Sequence, residues 1–391
     1  MSTFPYSRTR RRVTESSFAV VTNGFADGPA QALRDHLVMK RAGRLVTVTH
    51  PLSAEEGGRH LMEEWADGQL LRSRTVRLPS RPPLTFPLDL LANPVLPKVD
   101  CWFGFNPLNV LQGLSARRLV RADLVVYWGV DFVQTRFGRG PLTAVYESLE
   151  GYCCRHADAR FELSTAMRDA RDSRHGREGE ALAPARIVPM GGWAGQVPRT
   201  DENAYLRRLV VYVGHLLPKQ GLLELLEAIR ILSDRRAGVS LDVIGRGPQE
   251  QALRERTHEL GLDGSVRFLG FIEDHRELER LVSAGSVGAA PYATGSASSY
   301  TVYADPGKLK VYLAAGLPIV TTDVAPVAAE LAEAGAAVLV DFEPAAIAGA
   351  IEGLLGSAVE WRRRRQSALD VAQTYDWQLI LSSGLEWIGF H

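Results

Sequence analysis

Two lysines and a set of glycines carry the chemistry most readily read from this chain. The run Gly214-His215-Leu216-Leu217-Pro218-Lys219-Gln220-Gly221 follows an apolar segment, Leu209–Val213, and precedes a helical pattern. Glycines let a backbone approach a ligand closely, and a helix start offers unpaired N–H groups at the positive end of a dipole. With the charge of Lys219 added, the segment reads as a cradle for a diphosphate. Gly245, in Gly245-Arg246-Gly247-Pro248, and Gly270, in Gly270-Phe271-Ile272, end two further strands on the same rim. Backbone groups of Phe271 and Ile272 are suited to pairing with a base edge. A tight left-handed turn would demand the same glycines with no ligand at all.

The densest stretch runs from Ala290 to Thr322. Tyr292 ends a strand, the small polar residues Gly295 to Tyr300 read as mobile, and Tyr303 and Asp305 precede Pro306-Gly307-Lys308. Pro306 and Gly307 open a short helix that also carries Tyr312, with Lys308 in its first turn. The dipole disfavours a cation there and favours an anion. A bound diphosphate would satisfy both the helix end and the lysine.

In the first half, Asp131 follows the apolar run Leu124–Trp128 and is flanked by Trp128 and Phe132. Partial burial there would raise its pKa toward that of a useful general base. A turn or helix cap is the alternative role. His50 is the second candidate base, with a structural histidine the plainer reading. Asn23 and Asn106 follow strands and are placed to line an acceptor side, and His175 sits in a charged run that reads as solvated.

The elements that would position these residues alternate between short β-branched runs and helical patterns. In the second half the runs are Leu209–Val213, Leu241–Ile244, Val266–Leu269, Val287–Ala290, Ile319–Thr322 and Val338–Val340. Leu222, Leu225, Leu226 and Ile229 mark one helix between them, Leu253, Leu260 and Leu262 a second, and Leu278, Leu281 and Val282 a third. In the first half, Phe18–Thr22, Arg44–Thr49, Thr75–Leu78, Cys101–Phe105, Leu124–Trp128 and Phe161–Leu163 continue the rhythm, with a helix from Gly28 to Ala42. This predicts an α/β chain of two doubly wound, Rossmann-like domains facing across a cleft. The expected divisions are a tail over 1–15, a first domain over 16–195, a second over 204–375, and a last helix over 376–391 that returns to the first. Pro79–Pro97 reads as a loop.

Composition narrows the setting. Three cysteines, two of them adjacent at Cys153 and Cys154, give neither a disulfide framework nor a metal-ligand spacing. No apolar run spans a bilayer, and the arginines near the N-terminus are not followed by the apolar stretch of a signal peptide. Net charge is zero, yet residues 1–200 hold about 27 Lys and Arg against about 20 Asp and Glu, roughly +7. That asymmetry suits an anionic membrane surface as well as it suits ordinary surface variation. A cytoplasmic protein, peripheral at the inner face of the membrane, is the expectation, with no nucleic-acid partner.

Tyr312-Leu313-Ala314-Ala315-Gly316-Leu317-Pro318-Ile319-Val320, Ile244-Gly245-Arg246-Gly247-Pro248 and Val213-Gly214-His215 with Gln220-Gly221 resemble the donor domain of GT-B glycosyltransferases of the glycogen-synthase-like group. The resemblance covers residues 205–355. In the first half His156-Ala157-Asp158, Leu163-Ser164 and Val188-Pro189 with Gly191-Gly192 keep the expected order. Three departures stand out. His215 occupies the place of an Arg, Gln220 that of a Lys, and Tyr303 and Val311 those of a Glu pair, so ribose is not gripped through the second Glu. Ala290-Pro291-Tyr292-Ala293, Val302-Tyr303-Ala304-Asp305 and Lys308-Leu309 also resemble the xanthan-type bacterial glucuronosyltransferases. That resemblance implies that Lys308 binds the donor diphosphate and that Asp131 is the base.

Together the two resemblances imply transfer of a sugar from a nucleotide diphosphate sugar, with a UDP-sugar favoured over a GDP-sugar. The acceptor would be a hydroxyl on a saccharide, a lipid-linked glycan or a small molecule, in bacterial polysaccharide, glycolipid or glycosylated-metabolite synthesis. They imply no metal and no cofactor, and donor contacts from Gly214, His215, Lys219, Gln220, Gly245, Phe271, Ile272, Tyr292, Tyr303, Asp305, Lys308 and Tyr312. One resemblance favours retention of anomeric configuration and the other inversion. An inactive nucleotide-sugar-binding protein and a nucleotide-sugar epimerase of the same architecture are the alternative readings.

Overall fold

A computed structural model describes residues 10–53, 56–79, 85–86, 89, 98–119, 122–134, 136–176, 178–295 and 301–391. Most of the segment Pro79–Pro97, the first part of the 1–15 tail and residues 296–300 lie outside the described residues. The chain forms two compact units. One holds the described residues up to Pro189 together with Gln378–His391, and the other is Met190–Trp377. Among the described residues no helix is long and apolar enough to cross a membrane.

The first unit is built on an eight-stranded sheet of order β4-β3-β2-β1-β5-β6-β7-β8. Its strands are β1 (Ser17–Asn23), β2 (Arg44–His50), β3 (Arg59–Ala66), β4 (Gln69–Arg77), β5 (Val99–Gly104), β6 (Ala122–Gly129), β7 (Ala159–Glu162) and β8 (Ala185–Ile187). From β2 through β8 the pairing is parallel. The central strands are covered on both faces, which is why β1 and β6 read as near-continuous apolar runs.

The edge departs from expectation. Thr75–Leu78 is not a further parallel strand but the end of an antiparallel hairpin of β3 and β4. The turn is Asp67-Gly68, with φ of 51° and 81°, the two positive values that a tight hairpin turn requires. β4 is almost wholly exposed, and its arginines suit an edge that must resist further pairing. The C-terminal helix Trp377–Trp387 supplies aromatic contact to this unit. Trp387 lies 6.1 Å from the Phe161 ring, Phe390 lies 5.0 Å from Phe18, and Arg11 N–H donates to Gly389 O.

The second unit has a six-stranded, wholly parallel sheet of order β11-β10-β9-β12-β13-β14. The strands are β9 (Leu209–Val213), β10 (Ser240–Ile244), β11 (Val266–Gly270), β12 (Val287–Ala290), β13 (Ile319–Thr321) and β14 (Ala337–Leu339). Counted within the unit, this is the 3-2-1-4-5-6 winding of a dinucleotide-binding sheet, and β9 with β12 flanks the point where the winding reverses. The helix after β9, Leu222–Asp234, buries Leu222, Leu225, Leu226 and Ile229 on the core. Leu260 and Leu262, assigned by their spacing to a second helix, lie beyond its end. That helix is Glu250–Glu259, and Gly261 at φ 65° breaks it.

Residues 191–203, where Gly191-Gly192, Pro198 and mixed polar residues lead the sequence to predict the domain boundary, are built into the second unit. Gly192 and Trp377 exchange backbone bonds with the same neighbourhood (Gly192 N to Tyr375 O and Trp377 N to Gly192 O, both 3.0 Å), and Thr200 N donates to Ala315 O at 2.8 Å. The partners lie more than a hundred residues away in sequence, so local composition could not reveal them.

Candidate functional site

In a parallel sheet of this winding, ligands bind beyond the carboxyl ends of the strands at the reversal point. Three glycines mark that rim. Gly214, Gly245 and Gly270 follow or end β9, β10 and β11, with φ of 142°, 140° and 72°. Gly245 N donates to Gly270 O at 2.8 Å, and Gly214 N to Ile244 O at 2.9 Å. A Cβ on Gly245 would lie 1.9 Å from Gly214 O. The turns are therefore stacked against each other, and no side chain fits between them. Gly221 is as constrained. It ends the short 3-10 turn Pro218–Gln220 at φ 69°, and a Cβ there would meet Pro291 O at 1.8 Å.

Lys308 reaches this rim from the first turn of the helix Gly307–Ala315, which follows β12. Its ammonium donates to Gln220 Oε1 at 2.7 Å and stands 4.1 Å from the Tyr212 ring centroid and 5.2 Å from that of Tyr292. A Cβ on Gly214 would come within 2.9 Å of Lys308 Nζ. Burial, with the like charge of Lys219 second, holds the Lys308 ammonium down to a pKa of about 7. Among the described residues its hydrogen-bond partner is a neutral amide. Aromatic faces stabilise a cation but do not neutralise it.

Lys310, two residues on, shows the contrast. It is the more deeply buried of the two, and its Nζ donates to Asp305 Oδ1 at 2.7 Å and sits 3.9 Å over the Tyr375 ring. Asp305 spends its other oxygen on Met190 N at 2.8 Å. Burial, opposed by Lys310, raises the Asp305 carboxyl. Expected as a donor contact, Asp305 is instead engaged through both oxygens inside its own unit.

The remaining expected residues divide. Tyr312 is fully buried; its hydroxyl accepts from Val213 N at 2.8 Å and donates to Ala289 O at 3.2 Å, bracing the two strands at the reversal point. Tyr292 is buried, and its hydroxyl has no hydrogen-bond partner among the described residues. Lys219 and Tyr303 are half-buried, His215 is exposed, and Tyr212 Oη donates to His215 O at 2.9 Å. Phe271 is 52% exposed beneath the Arg246 guanidinium, 4.8 Å from its centroid, while Ile272 packs on the core. Tyr212 and Arg246 were missed, since a strand tyrosine reads as core and the arginine sits in a glycine turn.

In the first unit, Asp131 lies two residues past β6. The neighbours Trp128 and Phe132 are buried, but the Asp131 side chain is 52% exposed and ion-paired with Arg136. The partial burial expected of it is absent, because the apolar run ends with the strand at Gly129 while the chain emerges beyond it. Its backbone is fixed from beneath, where Arg171 Nη2 donates to Asp131 O at 2.8 Å. Arg171 is itself fully buried and also bonds Glu162 and Tyr127 at 3.1 and 3.0 Å and, at shorter range, Glu150. His175, expected to be solvated, is buried in the same network with Nε2 2.8 Å from Glu150 Oε2. Burial raises the Glu150 carboxyl, but Arg171, His175 and Tyr127 outweigh it and hold the pKa at about 2.

His50 is fully buried at the end of β2 and contacts His60. Asn23 and Asn106 hydrogen-bond each other. Burial pushes the Asp89 carboxyl beside them up to about 6, against the opposing hydrogen bond from Asn23.

Comparisons with known proteins place this geometry. Residues 207–357 match the family described as Glycosyl transferases group 1. The chain is 24% identical over 253 residues to glycogen synthase of Mycobacterium tuberculosis, covering 62% of this chain and 57% of that protein. It is 28% identical over 179 residues to phosphatidyl-myo-inositol mannosyltransferase of Mycobacterium leprae, covering 45% of each. The chain thus spans about half the length of the curated relatives it matches.

Among solved structures, sucrose-phosphate synthase from Thermosynechococcus elongatus superposes with a TM-score of 0.69 at 16% identity, over 96% of this chain and 98% of that one. Anabaena HepE in complex with UDP does so at 0.65 and 16%, over 95% and 99%. At such identity the likeness speaks for the fold. By sequence, residues 207–357 match the group 1 glycosyl transferases, and the chain carries a two-domain α/β fold of the GT-B type, like that of these solved structures.

Proposed function

We propose that this protein is a glycosyltransferase that moves a sugar from a nucleotide diphosphate sugar to a hydroxyl acceptor. The observation that carries this reading is Lys308. A half-buried ammonium, bonded to a neutral amide at the reversal point of a dinucleotide-type sheet and ringed by glycine turns, is suited to a ligand that brings its own negative charge. The diphosphate is that charge, and it grows on the leaving group as the glycosidic bond breaks. The hydroxyl of Tyr292 beside the same lysine, without a hydrogen-bond partner among the described residues, offers a further donor. Phe271 and Arg246 form an exposed flat surface suited to a base. UDP-sugars are the first donors to try, because solved complexes of Anabaena HepE hold UDP and UDP-glucose. The basic first half supports an acceptor near anionic groups.

Binding of a nucleotide sugar to the full chain should fall as pH rises. In the free protein Lys308 loses its proton around pH 7, and a bound diphosphate favours the charged form, so the pKa in the complex is higher. Affinity is therefore full below about 7 and declines by up to a decade per pH unit until the pKa of the complex is passed. Calorimetric titration of UDP-glucose and GDP-mannose between pH 6 and 9 checks this. Affinity unchanged across that range would separate Lys308 from the diphosphate.

On the acceptor side, we assign Asp131 the proton of the attacking hydroxyl if the reaction inverts. It is an exposed carboxylate beyond a parallel strand, aimed by Arg136 and held by Arg171. Asp131→Asn keeps the shape and removes the proton acceptor, so turnover should drop by ~10²-fold or more with donor affinity nearly intact. Near-normal turnover would reduce Asp131 to a partner of Arg136.

A further inference from the structure

The first unit contains a cluster that the transfer reaction does not use. His50 ends β2 and His60 is the second residue of β3. The antiparallel register that pairs Thr49 with Leu61 sets the two histidines opposite each other. Both are buried, as is Asp89. His50 Nδ1 and His60 Nδ1 are 2.8 Å apart, and Asp89 Oδ1 lies 4.0 Å from the first and 3.9 Å from the second. The ligating atoms all fall within 4.8 Å of one another. In a tetrahedral site with metal bonds of 2.0–2.1 Å the ligand atoms stand about 3.3 Å apart, so shifts of about half an ångström would complete it.

The surroundings already resemble an outer shell. Asn23 Nδ2 donates to Asp89 Oδ2 at 2.8 Å, which leaves Oδ1 toward the imidazoles. The Asn23 amide is itself fixed, because its Oδ1 accepts from Asn109 Nδ2 at 3.1 Å and from Asn106. Hydrogen bonds of this kind orient ligating carboxylates in metal sites.

We propose that His50, His60 and Asp89 bind a divalent transition metal ion of the zinc type, which ties Asp89 to the paired strands β2 and β3. Two imidazole nitrogens and one carboxylate suit zinc, cobalt or nickel, whereas magnesium and calcium require more oxygens. The proton held between the two Nδ1 atoms passes to Nε2 of the imidazole that carried it as the metal enters, so that both imidazoles ligate as neutral rings through Nδ1, and water supplies the fourth ligand. The ion is structural, and its presence departs from the sequence-based expectation of no metal.

The test uses the untagged full-length chain, stripped with a chelator and titrated with Co²⁺. The expected result is one equivalent bound, visible bands of four-coordinate intensity, their bleaching by Zn²⁺, and a rise in Tm. His60→Asn and Asp89→Asn should abolish the bands, Asn23→Ala should weaken Co²⁺ affinity by ~10–100-fold, and His258→Ala, at an exposed His–Asp pair, should change nothing. Absence of the bands in the wild-type chain overturns the proposal whether or not the variants fold. So do bands that survive in a folded His60→Asn chain, or that vanish in His258→Ala.

Discussion

Lys308→Ala is expected to weaken binding of the sugar nucleotide by ~10–100-fold and to slow transfer by a further ~10²–10³-fold. The first figure reflects the loss of one hydrogen bond to a charged group, about 1.5–3 kcal/mol. The second reflects the loss of a positioned donor where charge develops in the transition state. The two effects separate because the diphosphate carries more charge as it leaves than when it is bound to the sugar. Packing should survive, since the lysine lies between the Tyr212 and Tyr292 rings rather than in a buried ion pair. The comparison with Lys310→Ala is instructive. That change strands Asp305 in the interior and should act on stability before it acts on the donor. Donor affinity by calorimetry and initial rates on one preparation check the outcome. Normal donor affinity in Lys308→Ala would remove the diphosphate from this position.

Arg171→Ala should cost the first unit about 3–5 kcal/mol, the usual loss when one member of a buried charge network is deleted. Arg171 is fully buried and serves Glu150, Glu162, Tyr127 and the Asp131 carbonyl at once. Arg160 remains for Glu162 at 3.2 Å and His175 for Glu150 at 2.8 Å, but neither reaches the position that Arg171 fills. Arg171→Lys should recover little, since a lysine cannot present donors in four directions.

The network also has a pH signature. The Glu150 carboxyl is held at about 2, below its ordinary 4.5, so its contribution is full above about 4.5 and is lost as pH falls toward 2. In Arg171→Ala that acid-side loss should shrink. Thermal unfolding of the full chain at pH 7 and pH 4 measures both effects. A loss below about 1 kcal/mol at pH 7 would mean that water reaches the cluster.

The second unit was largely legible in the sequence. Its strands are short β-branched runs separated by helical spacings, and the glycines that end them have φ values that other residues rarely adopt. Lys308 was legible for a related reason, as a cation in the first turn of a helix opened by Pro306-Gly307 needs something else to explain it. Features that depend on register or on distant partners were not. Asp67-Gly68 carried the hairpin signal, but the exposed β4 lacks the apolar alternation that would confirm a strand. His50 and His60 face each other only once the β2–β3 register is known. The Arg171 network joins residues from 127 to 175, and nothing local distinguishes His175 there from a solvated histidine. Asp131 was placed correctly after a strand, yet its exposure depends on where the chain leaves the sheet.

The most direct test of the transferase reading is to incubate the full chain with a panel of UDP- and GDP-sugars and measure free nucleoside diphosphate together with the fate of the sugar. The expected result is release of the diphosphate from one donor, with the sugar passed to water in the absence of acceptor, more slowly by Lys308→Ala. Donors that bind but remain intact, or sugars that are interconverted while still attached to the nucleotide, would contradict it.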